Sequence, residues 1–153
     1  MPDLSHLKPG DPVAILSGSH DAQTLHVKRA TVKRVTKTQF TLNESDYTYR
    51  LSDGKRRGHS SMWERTPTAY PTDHPVVREA VYNIKTRNLQ HKLWNASQQV
   101  ANAAREARFP TREDLDRTQA RITDTQDALN ALRAHLDAHG TQTGGADEKE
   151  AGS

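Results

Sequence analysis

Ten Lys and Arg side chains fall between residues 24 and 66: Lys28, Arg29, Lys33, Arg34, Lys37, Arg50, Lys55, Arg56, Arg57 and Arg65. Four acids share that stretch, Glu44, Asp46, Asp53 and Glu64, which leaves a surplus of six positive charges. Cations at this density neutralise phosphates and hold a nucleic-acid backbone without reading its sequence. Tyr47, Tyr49 and Trp63 add aromatic faces on which bases stack when the rings are exposed. The first nine cations are therefore the candidate nucleic-acid contacts. The competing reading is a solvated outer face on which lysines guard strand edges. Lys55-Arg56-Arg57 sits beside a turn and projects into solvent on either reading.

Other chemistry is poorly supplied. His135 and His139 lie four apart on one helix face, but two ligands fall short of the three or four that zinc needs. Gly18-Ser19-His20-Asp21 has the residue types of a catalytic triad, yet a triad is assembled from separate segments because neighbouring side chains diverge. No Gly-rich phosphate loop or dinucleotide fingerprint occurs. Cys is absent, which removes disulfides, thiolate ligands and Cys nucleophiles. The expectation is a binding protein, not an enzyme, with no cofactor and no metal.

The cations need a scaffold, and residues 30–42 point to one. Ala-Thr-Val-Lys-Arg-Val-Thr-Lys-Thr-Gln-Phe-Thr-Leu is rich in β-formers interleaved with polar residues, the pattern of strands with one buried face. Ala30 and Val32 share parity but Val35 does not, which predicts a bulge between them. Val13 to Leu16 reads as a strand after the turn at Pro9-Gly10, and Ser17 to Gln23 as a loop. Tyr47, Tyr49 and Leu51 alternate, Asp53-Gly54 signals a tight turn, and His59 to Arg65 is the expected fifth strand. The fold class is α+β: a five-stranded antiparallel SH3-like barrel over 1–66, a linker at 67–72, a helical hairpin over 73–139, and a disordered tail over 140–153. Short strands and the lack of an inserted helix argue against an OB-fold.

Asp73 is the expected N-cap of the first helix, with Pro75 in its first turn. Val77, Val81 and Ile84 form one stripe, expected against the barrel. Leu89, Leu93, Ala96, Val100, Ala103 and Ala107 form another, expected against the second helix. Phe109-Pro110 breaks the run, and Thr111 to Asp114 has the form of a capping box. In the second helix Leu115, Ile122, Leu129 and Leu136 recur every seven residues, with Thr118, Thr125 and Leu132 between them. This thin seam is the candidate protein interface (Leu115, Ile122, Leu129, Leu132, Leu136), to the first helix or to another chain. Trp63 and Trp94 are expected as packing residues.

Charge divides the chain. Residues 1–70 carry 11 Lys/Arg against 7 acids, and residues 111–153 carry 5 against 9. A basic front and an acidic end fit a partner for each, or ends that meet in an oligomer. No apolar run is long enough to span a membrane, and the first residues lack the pattern of a signal peptide, so a cytoplasmic protein is expected.

Lys-Pro-Gly-Asp-Pro-Val at 8–13, the run at 30–42 and Tyr-Arg-Leu-Ser-Asp-Gly-Lys-Arg-Arg-Gly at 49–58 resemble small proteins common in phages of actinobacteria. Those proteins have an SH3-like or KOW-like barrel, often with a helical tail. The resemblance implies a phage accessory protein in the host cytoplasm and supplies no catalytic residues. Two functions follow as expectations: weak, charge-driven nucleic-acid binding by the barrel, or an adaptor or inhibitor that grips a host or viral protein. A homo-oligomer through the helical arm is a further possibility.

Overall fold

The alternating segments between residues 12 and 50 form four antiparallel strands in a computed structural model that describes residues 2–19, 25–59, 61, 63–106 and 111–143. They are β1 (Pro12–Ser19), β2 (His26–Val35), β3 (Gln39–Leu42) and β4 (Ser45–Arg50). They are followed by β5 (Glu64–Pro71) and the helices α1 (Pro75–Glu106) and α2 (Arg112–Thr143). The class is α+β. Two compact units divide the chain, Met1–Ile84 and Lys85–Ser153.

The sheet order is β4-β3-β2-β1-β5, a meander whose last strand returns to pair with the first. Its concave face buries Val13, Val32, Phe40, Leu42, Tyr49 and Ala69. Val32, Phe40 and Leu42 point inward as the β pattern requires, and the β2–β3 register slips between Val32 and Arg34, where the parity changes. The extra residue bends the strand and lets the sheet curl into a half-barrel.

The fifth strand is Glu64–Pro71, not His59 to Arg65, so it takes in the prolines expected to mark a linker. Proline survives in a sheet where no ladder N–H is needed. Pro67 meets that condition, because the β1–β5 register slips between Leu16 and Gly18 and leaves Pro67 without a ladder partner on β1. The first residues are also part of the core. Leu4 is fully buried, Leu7 nearly so, and the Leu4 N–H donates to the Leu51 carbonyl at 3.4 Å.

The strand β1 extends to Ser19, so Ser17 to Ser19 are not loop, while His20 to Thr24 lie outside the described residues. The N-cap of α1 is His74, one residue beyond Asp73. Its carbonyl accepts from the Val77 and Arg78 N–H groups, and its ring Nδ1 accepts from Val76 N–H at 3.3 Å. Of the expected first stripe, Val77 is buried, Ile84 is half-buried and Val81 is exposed, while Ala80, outside that stripe, is buried as well. Gly140 does not end α2, whose backbone continues to Thr143. Residues 144–153 of the expected tail, and Ala107 with Phe109-Pro110, lie outside the described residues.

Within the second unit the helices run antiparallel. The His135 ring Nε2 is hydrogen-bonded to Thr86 Oγ1 at 3.0 Å, and Arg121 donates to the Gln99 carbonyl at 3.1 Å. That register sets bulky Leu93 level with small Ala128, which is 1% exposed. The α1 stripe Leu89, Leu93, Ala96, Val100 and Ala103 is half-buried, as its spacing predicts. On α2 the half-buried row is Thr118, Thr125 and Leu132, with Ala128 buried between them.

The α2 N-terminus carries the expected capping box. Thr111 N–H donates to Asp114 Oδ2 at 3.0 Å, and Asp114 N–H donates to Thr111 Oγ1 at 3.3 Å. The Thr111 hydroxyl and N–H hold the Asp114 carboxyl below its ordinary pKa. A lowered carboxyl stabilises the fold above its unfolded pKa, and the contribution disappears as pH falls through the folded value. Asp114→Ala is therefore expected to lower helicity at neutral pH and to shrink the loss of helicity seen on acidification below the carboxylate range. Circular dichroism against pH checks this, and equal acid losses in parent and variant refute the capping role.

Candidate nucleic-acid interface

The open side of the half-barrel is bridged by two residues. Tyr49 of β4 pairs with Arg56, and Lys55 pairs with Thr68 of β5, so Lys55-Arg56 joins both edges of the sheet. Arg50 N–H donates to the Lys55 carbonyl at 3.0 Å, Arg57 N–H to the Thr48 carbonyl at 2.8 Å, and Arg56 N–H to the Pro67 carbonyl at 2.9 Å. The Lys-Arg-Arg run is thus held by main-chain bonds, and its side chains start from an ordered position.

The turn before it is built for this approach. Gly54 has φ of +69°, and a Cβ placed on it would lie 2.2 Å from the Ala69 carbonyl oxygen. Ala69 N–H in turn donates to the Gly54 carbonyl at 2.7 Å. Asp53 locks the same turn. Its carboxylate accepts from Arg50 Nε at 3.1 Å, from Arg50 Nη2 at 2.6 Å and from Lys55 N–H at 3.1 Å.

Asp53 therefore neutralises Arg50 and leaves the next three cations. Among the described residues no ion pair joins Lys55, Arg56 or Arg57 to a carboxylate. Arg56 lies over the exposed Tyr47 ring, 4.2 Å from its centroid, a cation–π contact. Its Nη2 also donates to His59 Nδ1. The ring proton of neutral His59 then sits on Nε2, a buried atom with no hydrogen-bond partner among the described residues. Arg50, Lys55, Arg56, Arg57, Gly58, His59 and Thr66 line a hollow of about 380 Å³. Beneath this surface Tyr49 stacks on Phe40 with centroids 5.5 Å apart, and burial raises the pKa of its phenol.

No family model, curated protein or solved structure matches the chain.

Four of the nine expected cations meet here: Arg50, Lys55, Arg56 and Arg57. Lys28, Arg29, Lys33 and Arg34 are exposed along β2 and do not line the hollow. Lys37 lies at the β2–β3 turn beside a different hollow, with Asp3, Ser5 and Leu51. His59 and Thr66 join the site without any signal in the sequence. Trp63 is 80% exposed and Trp94 is also exposed, so neither is the packing residue expected. Trp63 stands immediately before β5, and its N–H donates to Ser61 Oγ at 3.2 Å.

The helical candidates separate. Leu132 is half-buried against α1, while Leu115, Ile122, Leu129 and Leu136 are exposed. Among the described residues no group of three or more His, Asp or Glu could hold a metal ion, and no helix is long and apolar enough to cross a membrane.

Proposed function

We propose that the barrel binds nucleic acid by charge, with the Lys55-Arg56-Arg57 segment as the anchoring contact for the phosphate backbone. The observation that carries this reading is three neighbouring cations without carboxylate partners among the described residues, fixed by the main-chain bonds that bridge β4 and β5. An ordered cation loses less freedom on meeting a phosphate than one on a mobile loop. Arg56 is stiffened further by the Tyr47 ring. The hollow is polar and four of its seven lining residues are cations, which fits contact with the phosphate backbone. The exposed Trp63 indole supplies a stacking face for an unpaired base. The setting implied by the phage resemblance, an accessory protein in a host cytoplasm, is part of the same proposal.

Fluorescence anisotropy with labelled duplex and single strands tests it. Binding is expected at micromolar or weaker affinity in low salt. Three neutralised phosphates give a log–log salt slope of about −2.7, or roughly a 40-fold loss between about 50 and 200 mM salt on duplex. Absence of binding at low salt refutes the proposal.

A further inference from the structure

Among the described residues of the second unit, an apolar row on α2 is left uncovered. Leu115, Ile122, Leu129 and Leu136 are 60%, 40%, 41% and 45% exposed. They repeat every seven residues along about 31 Å of α2. Single exposed leucines are ordinary, whereas four aligned on one helix face mark a contact surface. α1 does not cover them, because the helix turns its Thr118–Thr125–Leu132 edge inward.

We infer that this row pairs with the same row of a second copy of the chain, antiparallel, about a two-fold axis between Thr125 and Gln126. The spacing is self-matching in that alignment: Leu115 meets Leu136 of the second copy, and Ile122 meets its Leu129. Charge favours the same direction. Arg133 comes level with residue 118 of the other copy, about 3 Å along the axis from its Asp116. In a parallel alignment Arg133 stands level with Arg133, and Asp116 with Asp116. Nucleic acid is a poor occupant, since residues 111–153 carry 9 acids against 5 Lys/Arg.

A face about 31 Å long and 10–12 Å wide buries on the order of 300–400 Å² per copy. Stable complexes bury about 800 Å² per partner, so the dimer is weak and reversible. The inference is independent of nucleic-acid binding.

Sedimentation equilibrium of the full chain over a wide concentration range tests it. The mass is expected to rise from 17.1 kDa toward twice that value as concentration increases. The double variant Ile122→Gln/Leu129→Gln should remain a monomer with unchanged helical circular dichroism. The chain has no Cys, so cross-linking reports direction. A mixture of Ile122→Cys and Leu129→Cys chains should oxidise to the mixed dimer, and either variant alone should cross-link far less. Three results overturn the inference: a single-chain mass at the highest concentration, which leaves the row to a different partner; doubling that survives the glutamine variant; or Ile122→Cys alone cross-linking as readily as the mixture.

Discussion

Gly54→Ala is expected to destabilise the barrel by about 2–5 kcal/mol, the sum of positive-φ strain and an overpacked backbone contact. For a domain of this size that lowers the melting temperature by about 10 °C or more. The added methyl would meet the Ala69 carbonyl oxygen at 2.2 Å, and a main-chain atom in a paired strand cannot swing aside as a side chain does. Either β5 retreats or the 54–56 segment lifts off, and both outcomes break the Ala69 N–H to Gly54 carbonyl bond. Gly58→Ala is the control. Gly58 has the same φ of +69° but no atom of the described residues within 4 Å of its would-be Cβ, so that variant carries the strain of about 1–2 kcal/mol without the backbone clash. Thermal melts of the two variants decide the matter. Equal melting temperatures would show that the close approach at Gly54 does not hold the edges together.

The second large effect concerns affinity. Lys55→Gln/Arg56→Gln/Arg57→Gln is expected to reduce the salt slope on duplex by about 2.7 and to weaken low-salt binding by an order of magnitude or more. A matched triple, Lys28→Gln/Lys33→Gln/Arg34→Gln, removes the same charge from β2, where the residues are exposed and do not line the hollow. It is expected to weaken binding less. If both triples cost the same, net charge governs binding and the bridging segment has no special place. The comparison holds for folded protein, so both variants are first required to melt near the parent temperature. All six side chains leave the main-chain ladder intact, since the bonds at 55–57 are made by backbone atoms.

Local pattern determined a good deal by itself. The β-rich run at 30–42, the bulge between Val32 and Arg34, the capping box at Thr111–Asp114 and the seven-residue repeat of α2 were all legible, because each depends on residues within about two turns or one hairpin of each other. The surplus of cations was legible too, since charge is counted and needs no fold. Tertiary structure decided what depends on distant neighbours. Lys55-Arg56 is too short to show any alternation, and only the arrival of β5 makes it a bridge. Two prolines in Glu64–Pro71 forbid a regular strand, and only the slip in register against β1 removes the need for the missing donor at Pro67. The heptad of α2 offered two edges. Bulky Leu93 on α1 lies level with Ala128 and needs the small residues, so the Thr and Ala edge turned inward and the leucine row stayed out. Periodicity specifies which residues share a face; the shape of the opposing surface selects which face is buried.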